Sequence, residues 1–344
     1  MSRLRRWKRN RATVALIVVS LACAVMPALG GCDRLSPEPE VAPVPVSLGV
    51  SREELSALAY IARAEGLFAG AGLEVDFKEY SSSQLALEAL LAGEVDAALC
   101  ADTPIALASL GGQPVRIVAT VASDPSDIRV VARSDAGISE PADLRGKRVG
   151  TREGTAAHFF LHGFLIKHGM SEDDVEVSFD SFEAVTAALI DGQLDAVSLR
   201  QPFVAELEDA LGDDFVLFEE HGLYEKTMNL CVRPGDMSSP GAETLQRLIE
   251  SLLEAERVGV ADTTGRTREE LADALGISPD QLCDCIISEG AVGLRQSLVM
   301  NLEDQARWAA GAGIVDPAVR FDFLRLLDSR PLDAVAPERV TVIR

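Results

Sequence analysis

The chain predicts an α/β fold of two lobes with parallel-rich sheets and a helical C-terminal region. Three observations carry that prediction. Strand-like and helix-like apolar runs alternate with short connections from Val44 to the helix that Pro202 opens. One β-α unit recurs, once in each half. The stretch 240–330 loses the alternation and reads as helix.

The elements follow in order. Val44, Val46, Leu48 and Val50 alternate with other residues, the period-two pattern of a strand. Ser51 with Glu54 has capping-box spacing and opens a predicted helix over Leu55–Ala64, closed by Gly66. Leu73–Tyr80 reads as strand. Ser81 with Gln84 predicts a helix over Leu85–Ala92 stopped by Gly93, and Val95–Cys100 is the next strand. Thr103-Pro104 starts another helix, with Pro in its first turn. Val115–Val121 and Ile128–Ala132 are two further strands. A second run begins at Lys147–Gly150: strand, helix over Thr155–His168, strand near Val175–Phe179, helix over Phe182–Ile190, then strand Ala196–Leu199. In the last stretch, Thr267 with Glu270 and Ser278-Pro279 with Gln281 mark helix starts.

The repeat pairs Gly93-Glu94-Val95-Asp96-Ala97 with Gly192-Gln193-Leu194-Asp195-Ala196. In both, a helix ends on Gly, a strand carries Asp near its start, and a Pro-started helix follows. Any two β-α units share the general pattern; the common G-x-[VL]-D-A lifts this pair above it.

The first 32 residues carry an address. Arg3, Arg5, Arg6, Lys8, Arg9 and Arg11 form a positive head with no acid, and an apolar run from Ala12 to Leu29 ends in Leu29-Gly30-Gly31-Cys32. That is the order of a bacterial lipoprotein signal, with Cys32 as the lipidated residue. An uncleaved transmembrane anchor is the competing reading, and the lipobox at the end of the run favours cleavage. Either way the body lies outside the cytoplasm. Asp33 after the lipidated Cys points to the outer face of the inner membrane. The expected organisation is signal peptide 1–31, Pro-rich tether 32–44, first lobe 45–125 completed by 227–330, second lobe 126–226 and tail 331–344. The links near Ala122–Asp127 and Leu223–Lys226 are the expected hinges.

Loss of residues 1–31 removes six positive charges and no negative ones, taking the formal net charge from -22 to -28. Such a surface repels nucleic acid, so no nucleic-acid partner is expected. With 47% hydrophobic residues, the body can form its core without metal or disulfide staples. Cys100 and Cys231 end apolar runs and read as small buried hydrophobes, with a bridge between them left open. Cys283 and Cys285 lie two apart in predicted helix and cannot easily bridge. A monomer is expected.

The search for catalytic chemistry is negative. No G-x-x-x-x-G-K-[ST] or G-x-S-x-G occurs, and Gly70-Ala71-Gly72 follows a helix instead of joining a strand to one. His158 and His162 have the spacing of H-E-x-x-H, but Phe159 stands where its general base belongs. A plain metal site there would need His221 or a carboxylate as a third ligand. Two polar residues on a helix near the cleft is the favoured reading. No catalytic residue, metal or cofactor is expected.

The search for binding chemistry is positive. Ligands of α/β sheets lie beyond the carboxyl ends of strands, where helix N-termini offer free amides and a positive dipole end. Such junctions occur at Ser51, at Ser82 and Ser83, at Asp102-Thr103, at Gly154-Thr155-Ala156 and at Arg200-Gln201. With Tyr60 on the rim, these are the candidate ligand-binding residues. Each Ser or Thr could instead cap its helix, and Arg200 could pair with Glu206 or Asp209. Arg200 could equally grip a sulfonate, carboxylate or phosphate. The expected ligand is a small organic anion, a sulfonate ahead of nitrate or a carboxylate.

Several of these segments resemble one family. Tyr60-Ile61-Ala62-Arg63-Ala64-Glu65-Gly66-Leu67-Phe68, Gly72-Leu73-Glu74-Val75 and Leu91-Ala92-Gly93-Glu94-Val95-Asp96-Ala97 are similar to the first lobe of the SsuA/THI5-like (NMT1) solute-binding proteins. Asp143-Leu144-Arg145-Gly146-Lys147-Arg148-Val149-Gly150, Gly154-Thr155-Ala156-Ala157-His158 and Gln201-Pro202-Phe203 resemble the second lobe, most like aliphatic sulfonate binders. The resemblance implies a periplasmic-binding-protein type II-like fold that closes over a small solute and delivers it to an ABC permease with its ATPase. Leu199-Arg200-Gln201 departs from those binders, which tend to carry a Trp there. Pyrimidine binders of the family would need flat aromatic faces, and this rim offers Tyr60, Phe159 and Phe203. The pyrimidine synthases that share the fold carry a Cys-rich motif that Cys283-Asp284-Cys285 does not reproduce.

Overall fold

The computed structural model describes residues 42–343 apart from 236–240, 283–286 and 289. Cys32, the signal and most of the tether therefore lie outside the described residues, as do Cys283 and Cys285. Among the described residues no helix is long and apolar enough to cross a membrane.

The first run of elements is β1 (Val44–Ser51), α1 (Ala57–Ala64), α2 (Leu67–Gly70), β2 (Leu73–Tyr80), α3 (Ser83–Ala92), β3 (Ala97–Ala101), α4 (Asp102–Leu110) and β4 (Arg116–Asp124). The second is β5 (Ile128–Arg133), β6 (Arg148–Thr151), α5 (Ala156–Lys167), β7 (Glu176–Phe179), α6 (Phe182–Ile190), β8 (Ala196–Arg200), α7 (Phe203–Leu211) and β9 (Phe215–Phe218). The chain then returns as β10 (Lys226–Val232) and continues through α8 (Gly241–Ala261), α9 (Arg266–Leu275), α10 (Gln296–Gly311) and α11 (Arg330–Val335).

These strands form two five-stranded sheets, ordered β2-β1-β3-β10-β4 and β7-β6-β8-β5-β9. In each, three strands joined by helices pair in parallel: β2, β1 and β3 in one, β7, β6 and β8 in the other. The remaining pairings are antiparallel. Each sheet is thus mixed but parallel-rich, as expected: four strands run one way, and β10 in the first sheet and β5 in the second run against them. The reason is topological: the chain crosses between sheets at β4–β5 and again at β9–β10, and strands arriving from the other sheet enter in the opposite sense.

Each sheet has its own core. The first gathers Leu48, Leu99, Ile105 and Ile117 with Leu248, Leu298 and Leu332 from the C-terminal helices. The second gathers Val131, Val149, Leu189 and Val197 around Phe160 and Phe164. Burying a side chain such as Phe160, 1% exposed, stabilises by about 1.5–3 kcal/mol. Helix α5 serves two neighbours. Phe160, Leu161, Phe164 and Leu165 enter the second core, while His158, Phe159 and His162 meet Trp308 of α10 at ring distances of 4.9, 5.4 and 6.4 Å.

Two predicted helix starts are built differently. A 3-10 turn over Glu54–Ser56 precedes α1, and Ser51 Oγ donates to Glu53 instead of closing a capping box with Glu54. Glu54 is 2% exposed and turned inward. Helix α3 is capped by Ser82, whose Oγ accepts from Leu85 N at 3.3 Å, one residue after the expected Ser81.

Candidate functional site

The cavity grows from two helix starts on different sheets. Ser82 has extended backbone (φ -149°, ψ 154°) as β2 gives way to α3. Thr155 does the same ahead of α5 (φ -108°, ψ 170°), its Oγ1 donating to Arg152 O at 2.7 Å. The turn before it needs Gly154: φ is +68°, and a Cβ there would stand 3.2 Å from Leu107 Cδ1 of α4. Between these starts lies a narrow cavity of about 20 Å³. Ser82, Ser83 and Gln84 line one side, and Thr155, Ala156 and Ala157 the other. Arg200, Lys226 and Phe182 complete the wall, with Ala101, Pro104 and Ile128. The opening amides of a helix have no intrahelical partner, so both N-termini offer donors and a positive dipole end.

Two cations meet this cavity, both at most 3% exposed, and neither stands alone. Arg200 Nε is 3.4 Å from Glu53 Oε2, and its Nη1 and Nη2 donate to Arg52 O at 3.2 Å and Ser81 O at 3.0 Å. A residue at the end of β8 thereby clasps the segments that follow β1 and β2. Its partner is Glu53, not Glu206 or Asp209. The guanidinium also lies 5.5 Å from the Phe182 ring and 5.8 Å from the Phe203 ring. Lys226 Nζ donates to Glu53 and, at 2.8 Å, to Asp127 Oδ2. Burial pushes the Glu53 carboxyl up, but Arg200 and Lys226 outweigh it and hold it at about 2. Burial pushes Lys226 down, and Asp127 with Glu53 more than reverses that.

Asp102 opens α4 fully buried. Its Oδ1 accepts from Thr103 N at 3.0 Å and from the Tyr224 hydroxyl, which Gln305 Nε2 also approaches at 3.4 Å. Burial dominates and lifts its carboxyl to about 6, against those hydrogen bonds.

Of the residues read from sequence, Ser82, Ser83, Thr155, Ala156 and Arg200 line one cavity. Gly154 shapes the turn beside it. Gln201, ahead of α7, accepts from Ala205 N of its first turn at 3.1 Å, and Thr103 Oγ1 lies 3.5 Å from Tyr224 Oη. Ser51 is buried against Glu53 and Ser56. Tyr60 is placed elsewhere, facing Phe77 edge-on at 5.3 Å and lining a depression between α1 and α9. The sequence reading missed Glu53 and Lys226. The one available signal for Lys226 was a lone cation leading the apolar run Lys226–Val232.

His158 and His162 share one carboxylate: His158 Nε2 is 3.3 Å from Glu172 Oε2, and His162 Nδ1 is 3.1 Å from Oε1. Burial raises the Glu172 carboxyl, and the hydrogen bonds from the two imidazoles override it to about 2. Gly154 N donates to His158 Nδ1 at 3.4 Å, so this group braces the turn that starts α5. Cys100 and Cys231 are buried and free.

Two sheets joined by two crossovers, with a cavity between their helix starts, define the class: a periplasmic-binding-protein fold. The NMT1/THI5 like family profile matches residues 55–255, more than half of the chain, and the chain belongs to that family. The taurine-binding periplasmic protein of Escherichia coli (strain K12) is 24% identical over 221 residues, 63% of this chain and 68% of its own. The alkanesulfonate-binding protein SsuA of Xanthomonas axonopodis pv. citri, solved bound to MOPS, superposes with a TM-score of 0.68 at 22% identity, covering 88% of this chain and 99% of its own. The periplasmic nitrate-binding protein NrtA of Synechocystis PCC 6803 gives 0.64 at 12% identity, covering 86% and 89%.

Proposed function

We propose that the protein is the solute-binding component of an ABC importer and captures a small organic oxyanion, a sulfonate ahead of nitrate or a carboxylate. The observation that carries this reading is the convergence of two helix N-termini from different sheets, with Arg200 and Lys226, on one cavity. Taurine, alkanesulfonate and nitrate, the solutes named for the relatives, share oxyanion chemistry. The donor set is suited to it: serine and threonine hydroxyls, opening amides and fixed cations. Glu53 holds both cations in place, so they act as a preset field. The protein is a binding protein and not an enzyme in this reading, and its partners are the permease and ATPase.

The lobes would divide at 45–125 with 227–330 and at 126–226, with 331–344 as a tail. The links near Ala122–Asp127 and Leu223–Lys226 act as hinges. The mature chain is a monomer tethered through Cys32 to the outer face of the inner membrane. Labelling with a fatty acid tests the anchor: label should be lost in Cys32→Ser, and label retained refutes it.

A thermal-shift series tests the ligand class. Ethanesulfonate or taurine should raise the melting temperature, and the uncharged sulfonamide of the same shape should not, because a ligand stabilises in proportion to its affinity for the folded state. Equal shifts from both would overturn the anion reading.

A further inference from the structure

We propose that Glu54, Asp124 and Asp127 form a site for one divalent cation that prefers oxygen ligands, of the Ca²⁺, Mg²⁺ or Mn²⁺ class. The three come from different segments: the turn after β1, the end of β4 and the turn into β5. One ligand oxygen from each lies within 4.8 Å of the others. Oxygens held about 2.0–2.6 Å from a common ion must be spaced this way. All three side chains are at most 2% exposed.

A cluster of acids alone would not carry the proposal; the oxygens' partners do. Asp124 Oδ1 accepts from Ser126 N at 2.7 Å and Ser126 Oγ at 2.8 Å, while its buried Oδ2 has no hydrogen-bond partner among the described residues. Asp127 Oδ2 is taken by Lys226 at 2.8 Å, and its buried Oδ1 likewise has none among them. Buried carboxylate oxygens call for a donor or a cation. Charge points the same way. Glu53, Glu54, Asp124 and Asp127 are four buried carboxylates in this part of the core, beside the two buried cations Arg200 and Lys226. A doubly charged ion redresses that difference.

The chemistry of the donors selects the ion. With carboxylates only and no imidazole or thiolate, the set suits hard cations over zinc or copper. Position separates this site from the solute cavity. Lys226 lines the cavity, but none of the three carboxylates does, so the ion would lie behind Lys226. There it would fasten the first crossover between sheets to the turn after β1.

The test uses the purified protein without any organic solute, so its outcome is independent of the solute-binding reading. After treatment with a chelator, the protein is titrated with Ca²⁺, Mg²⁺ and Mn²⁺ in turn by calorimetry and followed by thermal melting. One ion per chain should bind and raise the melting temperature by several degrees. Asp124→Asn and Asp127→Asn should each weaken binding at least about tenfold. Binding of none of the three ions to the wild type would overturn the proposal whether or not the variants fold. Unchanged affinity in both folded variants would overturn it as well.

Discussion

The two G-x-[VL]-D-A units are alike where they begin and opposite where they end. Asp96 accepts from Ser47 N at 2.8 Å and returns its own N–H to Ser47 O at 3.1 Å, tying β3 to β1. Asp195 does the same for β8 and β6, accepting from Arg148 N at 2.9 Å and donating to Arg148 O at 2.9 Å. At the far ends of the same two strands the chemistry divides. β3 runs into Asp102, a buried acid; β8 ends on Arg200, a buried cation. Backbone pairing dictates the start of each unit, because a strand entering a parallel pair leaves an amide that a carboxylate can satisfy. The strand ends face the other sheet, where no such demand acts, and that is where the candidate site lies.

The largest expected effect comes from the residue that makes the cationic end tolerable. Glu53→Gln leaves Arg200 and Lys226 buried with less counter-charge and should cost about 3–5 kcal/mol of stability, read from urea unfolding at neutral pH. Because the Glu53 carboxyl is held at about 2, below its ordinary 4.5, its contribution is present above that ordinary value. It fades as pH falls towards 2, and the variant should lack that acid dependence.

Asp102 tests the acidic end, with the opposite sign. Its carboxyl is lifted from 3.8 to about 6, so between those values the unfolded chain gives up its proton before the folded one does. Stability should fall as pH rises through that window. Asp102→Asn should flatten the fall and gain about 2 kcal/mol above it, provided the Tyr224 hydrogen bond survives. An unchanged pH profile would remove Asp102 as its source.

The smallest effect checks the shared start. Asp96→Ala and Asp195→Ala should each cost about 1 kcal/mol, and the two should agree closely. The extra Arg148 contact of Asp195 is half exposed and adds little. A several-fold difference between them would break the equivalence of the two units.

Periodicity made the alternation of strands and helices legible, and capping chemistry came within one residue of Ser82. Thr155 and Arg200, which the rule that ligands lie at strand ends selects, both line the cavity. The one reversed strand of each sheet was not legible, because the direction of β5 and β10 follows from where the chain crosses over. Glu54 looked like a helix-start residue and Glu53 beside it gave no signal, since a short-range pattern cannot tell a solvated acid from a buried one. Tyr60 looked like a rim aromatic; its ring packs on Phe77 because α1 presents that face to β2.

The central claim, that the cavity holds an oxyanion under the field of Arg200 and the two helix starts, is tested most directly by calorimetry of ethanesulfonate or taurine on the wild type and on Arg200→Ala. The account predicts an affinity loss of about 2–4 kcal/mol in the variant, since Arg200 is buried, paired and lines the cavity. Unchanged affinity in a folded variant would contradict it.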